Sequence, residues 1–81
     1  MRIELTRRAD KDYRGLSQQL RRQVDKQFEY LRDNLRHPSL EAKKYGGADN
    51  VWQRRVNRDY RFYFPIADDT YRILMIIPHP K

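Results

Sequence analysis

The chain contains no cysteine. Disulfides and thiolate-held metals are therefore excluded, and a reducing cytoplasm is the expected setting. Glycine is scarce, at three residues in 81, and no Gly-rich loop is present that could cradle a phosphate. No His, Asp and Glu residues stand at metal-ligand spacing, so neither a metal nor another cofactor is expected. The N-terminus lacks the apolar core of a signal peptide, and no run is long enough to span a bilayer, so a membrane role is not expected. Acidic residues are the minority charge, 11 against 18 Lys and Arg, which leaves a formal net charge of +7. That balance favours polyanions, meaning nucleic acid, or an acidic protein partner; solubility alone is the alternative. Apolar residues make up 38% and charged residues 36%, so a chain this short needs one efficient core and forms a single domain, residues 1–81.

What is there is concentrated in Val51 to Ile77, VWQRRVNRDYRFYFPIADDTYRILMII. Its aromatic and β-branched content predicts three antiparallel strands. In the first, Val51 to Asn57, Trp52 and Val56 face one way and Gln53 and Arg55 the other. A polar turn at Arg58-Asp59 leads to the second, Tyr60 to Ile66. It sends Tyr60, Phe62, Phe64 and Ile66 to one face and Arg61 and Tyr63 to the opposite one. After a turn at Ala67-Asp68-Asp69, the third runs from Thr70 to Ile77 and ends in an apolar run. One face then carries the core, and the other presents Arg55, Arg61 and Tyr63 together. A basic, aromatic sheet face is a candidate surface for RNA.

Ahead of this sheet, Met1 to Leu5 alternates and predicts a short strand, at an edge or beside Thr70 to Ile77. Thr6 is a candidate N-cap for a helix from Arg7 to Arg14, which Gly15 stops by accepting positive φ. Ser17 caps a longer helix running to about Arg36, with Leu20, Val24, Phe28, Leu31 and Leu35 in one apolar stripe. Pro38 ends it, and His37 sits where a cation suits the helix dipole. Ser39 to Asn50 is a long connection, anchored by Leu40 and Tyr45 and turned by Gly46-Gly47. The expected fold is α+β: strand, helix, helix, three strands, with a helical hairpin packed on one face of an antiparallel sheet.

This order, with WQRRV, DYRFYF and IADDTYRILMIIPHPK, resembles the RelE/ParE superfamily of toxins from bacterial toxin–antitoxin pairs. The resemblance covers nearly the whole chain, including the connection HPSLEAKKYGG, and is nearest the YoeB-like branch. It implies an mRNA endonuclease acting in the ribosomal A site, in contact with ribosomal RNA. It also implies a cognate acidic antitoxin whose disordered tail wraps the toxin, with promoter DNA bound through the antitoxin. The sequence departs from the YoeB-like pattern in two places. His79 is followed by Pro80 and Lys81 where that branch ends His-Tyr. On the first strand of the sheet region only Arg55 clearly matches the basic residues of the wider RelE branch, with Gln53 at the neighbouring same-face position. A ParE-like inhibitor of DNA gyrase, and a degenerate member that only binds antitoxin, are the alternatives.

Metal-independent RNA cleavage needs a base for the 2′-OH, positive donors on the phosphate and an acid for the leaving 5′-oxygen. Arg61, mid-sheet and matching the family's central arginine, is the first candidate for the phosphate, since its planar fork suits that geometry. Arg55 on the adjacent strand is a partner for it. Arg54 faces the core side, where its stem covers apolar surface. His79 is the candidate acid, because an imidazole titrates near neutrality. The resemblance places a catalytic glutamate near Glu41, a carboxylate in the connecting loop that is a candidate base; an ordinary surface residue is the alternative. Tyr63 is positioned either to stack on a base or to pack against a loop. Lys43, Lys44, Gln53 and Lys81 complete the candidate RNA-binding set, with simple solvation the alternative for the lysines.

Overall fold

The computed structural model describes residues 2–33, the backbone of 43–44, and residues 51–79. Its elements are β1 (Arg2–Leu5), α1 (Arg7–Arg14), α2 (Gln18–Asp33), β2 (Lys43–Lys44), β3 (Val51–Arg55), β4 (Tyr60–Ala67), β5 (Thr70–Ile73) and β6 (Met75–Pro78). Leu35, His37, Pro38, Leu40, Tyr45, Gly46 and Gly47, and with them the expected helix end near Arg36, lie outside the described residues. Among the described residues no helix is long and apolar enough to cross a membrane.

The helix starts follow from capping. Thr6 is extended, and its Oγ1 accepts the Ala9 N–H at 3.1 Å. The Ser17 Oγ accepts the Leu20 N–H at 3.2 Å. Each satisfies a donor that the first helical turn leaves unpaired. Gly15 does end α1, but with φ −81° rather than a positive value. Its N–H stays bonded to the Lys11 and Asp12 carbonyls, so the chain turns toward α2 without entering the left-handed region.

The sheet runs β1-β5-β4-β3-β2, with β6 also paired to β4. β1 lies beside β5, as expected, but parallel to it, so the sheet is mixed rather than antiparallel. The intervening helices provide the crossover that a parallel neighbour requires. The first sheet-region strand stops at Arg55 instead of Asn57, and β2 adds an edge strand within the long connection.

The third expected strand is broken at Leu74. Ile66 pairs with Tyr71 and Ala67 with Thr70, whereas Phe62 pairs with Ile76 and Tyr63 with Met75. Between those pairings β4 has two residues and its partner three, which makes Leu74 the extra residue of a bulge. The Leu74 N–H still reaches the Tyr63 carbonyl at 2.8 Å, and its own carbonyl accepts the Thr6 hydroxyl at 2.9 Å. Pro65, which has no N–H to give a ladder, stands in β4 opposite this interruption. The bulge shifts the alternation by one position. Tyr71, Ile73 and Ile76 therefore all reach the core. At the β4–β5 turn, Asp68 and Asp69 have φ of 50° and 58°, the paired positive values of a type I′ hairpin.

The two helices pack on one face. Val24, Phe28 and Leu31 of α2 meet Val56, Phe62, Phe64, Tyr71, Ile73 and Ile76, with Trp52 partly buried beside them. Phe28 and Phe62 meet edge-to-face with ring centroids 5.1 Å apart, a geometry that aromatic quadrupoles favour. α1 lies along β6, where the Asp12 carboxylate accepts the Ile76 N–H at 3.0 Å. Phe62 has no exposed surface, and its ring meets Phe28 of α2 and Phe64 of its own strand. Phe62→Ala should therefore cost about 3–5 kcal/mol in denaturant unfolding; a variant that melts like the parent would place the core elsewhere.

Candidate functional site

Pairing on β4 decides what shares the face opposite the helices. Arg61 stands between Arg55 of β3 and Ile77 of β6, and Tyr63 between Gln53 and Met75. Side chains directly opposite on one face sit about 4.5–5.5 Å apart at Cβ, and like charges so placed repel. The sheet thus puts two guanidinium residues side by side. Arg55 is exposed and Arg61 half-buried. The Nη1 of Arg61 is buried and has no hydrogen-bond partner among the described residues. A buried donor of this kind is costly to leave unmade, more so on a charged group.

His79 joins the same face. The pairing of Pro78 with Tyr60 continues one residue further, with the His79 N–H donating to the Asp59 carbonyl at 2.7 Å. Strand alternation sets His79 in the row of Ile77, diagonal to Arg61, at a separation of about 7–8 Å between backbones. The residue is exposed. Beyond Pro65 the face continues into an open groove of about 330 Å³ whose lining includes Arg2, Glu4, Thr70 and Arg72. Arg72 is 3.8 Å from Glu4, a weak exposed pair.

The other candidate positions fare differently. Tyr63 is only 5% exposed, so its ring is covered and offers no open platform to a base; of the two readings of this residue, packing fits. Gln53 is half-buried in the Tyr63 row. The ladder pairs Lys43 with Gln53 and Lys44 with Trp52, which puts the Lys43 backbone in line with the Tyr63 row. Glu41 and Lys81 lie outside the described residues.

Arg54 lies on the core side as expected, but its polar partner, and the role of Asn57, were not read from the sequence. Arg54 is 1% exposed on the core side, and its Nε and Nη2 both donate to the Gln27 Oε1, at 3.1 and 2.8 Å. Asn57 organises the β3–β4 turn: its Oδ1 accepts the Asp59 and Tyr60 N–H groups at 2.7 and 2.9 Å, and its Nδ2 donates to the Gln23 Oε1 at 2.7 Å. The signals were present. Gln23 and Gln27 are one turn apart, and Gln27 falls inside the Val24–Leu31 stripe, where a polar side chain needs a polar partner. Asn followed by Arg-Asp is a side-chain-stabilised turn sequence. Among the described residues no group of three or more His, Asp or Glu could hold a metal ion.

No family model and no curated protein matches the sequence. Solved structures do match the fold. The YoeB dimer from Staphylococcus aureus aligns with a TM-score of 0.83 at 15% identity, over 99% of this chain and 98% of that one. A YoeB/ParE toxin from Agrobacterium tumefaciens aligns with a TM-score of 0.84 at 13% identity, over 99% and 100%. The E. coli RelBE toxin–antitoxin complex gives 0.80 at 17% identity, over 99% and 98%. Helical hairpin, mixed sheet and strand order together give this chain the fold of the RelE/YoeB-like toxins.

Proposed function

We propose that the chain is the toxin of a bacterial type II toxin–antitoxin pair and cleaves mRNA on the ribosome. The observation that carries this reading is the pairing of Arg61 directly across the ladder from Arg55, on the sheet face away from the helices and diagonal to His79. A phosphate diester offers oxygen acceptors to the N–H groups of guanidiniums and an anionic charge to a place where two cationic residues meet. The matching fold of a toxin solved with its antitoxin supports the pairing with a partner protein.

In this mechanism Arg61, with Arg55, holds the scissile phosphate and stabilises charge as it builds on the non-bridging oxygens. The 2′-oxygen attacks the adjacent phosphorus in line and gives up its proton to a base, for which Glu41 is the proposed group. The bond to the 5′-oxygen breaks, and His79 protonates that leaving oxygen. The products are a 2′,3′-cyclic phosphate and a 5′-hydroxyl, and no metal takes part. Lys43, Lys44, Gln53 and Lys81 would hold flanking RNA of the message and the ribosome, chiefly through phosphates. The partner is an acidic antitoxin that covers the basic face, and the antitoxin carries any promoter DNA contact. The site of action is the cytoplasm.

Single-turnover cleavage on programmed ribosomes tests these roles. Arg61→Ala should lower the rate about 10²–10³-fold, and His79→Gln about 10²–10⁴-fold, each with a parental melting temperature. Full activity in His79→Gln would remove it as the acid.

The antitoxin complex should weaken with salt, because the Debye length falls from about 10 Å at 0.1 M to about 3 Å at 1 M. Affinity measured across that range and found constant would instead indicate a mainly apolar groove.

A further inference from the structure

The geometry points to Asn57 as a positioning residue for His79, tied to the helical layer through Gln23. The inference rests on the proposed role of His79. His79 follows the last residue of β6 and is exposed, so strand pairing alone gives it one neighbour. That neighbour is the Asp59 carbonyl, at 2.7 Å. Asp59 belongs to no strand; it lies in the four-residue turn 56–59. The position of His79 therefore depends on what fixes this turn.

Asn57 fixes it. Its side-chain oxygen accepts two successive backbone N–H groups, from Asp59 and Tyr60, which sets the orientation of the Asp59 peptide. Two donors on one atom identify that atom as oxygen and leave the amide nitrogen to face Gln23. There it donates to Oε1 at 2.7 Å. Gln23 precedes Val24, which has no exposed surface, so the far end of the relay is anchored in the packed helix. The path runs from α2 through the Gln23 and Asn57 side chains to the Asp59 carbonyl and the His79 N–H. Movement of the turn would carry the imidazole away from the diagonal of Arg61, and a misplacement of about 1 Å can cost about 10²-fold in rate.

The test compares Asn57→Ala, Asn57→Asp and Gln23→Leu, each with and without His79→Gln. Thermal melts and amide hydrogen exchange at His79 accompany the single-turnover rates. Asn57→Ala should lose protection at the His79 amide and slow cleavage about 10²-fold, yet add nothing in the His79→Gln background, because the two act through one group. Asn57→Asp keeps an oxygen for both turn N–H groups and should retain most of the rate. Gln23→Leu, which leaves the turn bonds in place, should fall between them. Equal losses with and without His79→Gln, or unchanged exchange at His79 in Asn57→Ala, would overturn the inference. Should the parent protein cleave no RNA, the functional reading fails on that ground alone, and the exchange arm still decides whether Asn57 holds His79.

Discussion

Pairing of Phe62 with Arg54 and Ile76, and of Arg61 with Arg55 and Ile77, settles two things at once. Side chains alternate along a strand, so the register that buries Phe62 and Phe64 also directs Arg61 to the far face. A slip of one residue would exchange the two sets and drive Arg61 into the core. Core and candidate site are in this sense one structure, seen from two sides. The bulge at Leu74 serves the same constraint. Without it, the phase that buries Tyr71 and Ile73 would turn Ile76 away from the helices and bring Met75 and Ile77 inward. Its cost is a broken ladder, made good by Thr6, whose hydroxyl bonds the Leu74 carbonyl, and by Asp12, whose carboxylate takes the Ile76 N–H.

Much of this could be read from the chain because alternation in β3 and β4 is strong. Trp52, Phe62 and Phe64 against Arg55 and Arg61 left one sensible choice of core face, and capping by Thr6 and Ser17 set both helix starts. The apolar run Ile73-Leu74-Met75-Ile76-Ile77 could not reveal its own break, since an unbroken apolar string has no phase to lose. The direction of β1 was also hidden: pairing sense depends on the path of the intervening chain, which a local pattern does not encode. Gly15 was assigned its place correctly and its reason wrongly; the bonds back to Lys11 and Asp12 do the turning. Within the site, Arg55 and Arg61 were placed together by alternation alone, whereas the covering of Tyr63 depends on tertiary contacts that no strand pattern reports.

The helical layer contributes more than apolar cover. Gln23 and Gln27 occupy successive turns of α2 and reach Asn57 and Arg54. One holds the turn beside His79, and the other solvates a guanidinium buried under β3. Polar groups thus occupy both faces of the sheet: Arg54 and Asn57 reach the glutamines of α2, while Arg55 and Arg61 stand opposite each other on the far face. Local sequence rules disfavour that last arrangement, and such conflicts are expected to persist where a ligand resolves them.

End-group analysis of the products tests the central claim most directly. An mRNA is loaded on ribosomes, incubated with the purified chain, and its fragments are mapped and their termini identified. Attack by the 2′-oxygen with Arg61 on the phosphate predicts fragments ending in a 2′,3′-cyclic phosphate and beginning with a 5′-hydroxyl. A single 2′-deoxy nucleotide at the cleaved position should abolish that cut. Intact message, with inhibition of DNA gyrase supercoiling by the same preparation, would contradict the account and assign the fold a binding role instead.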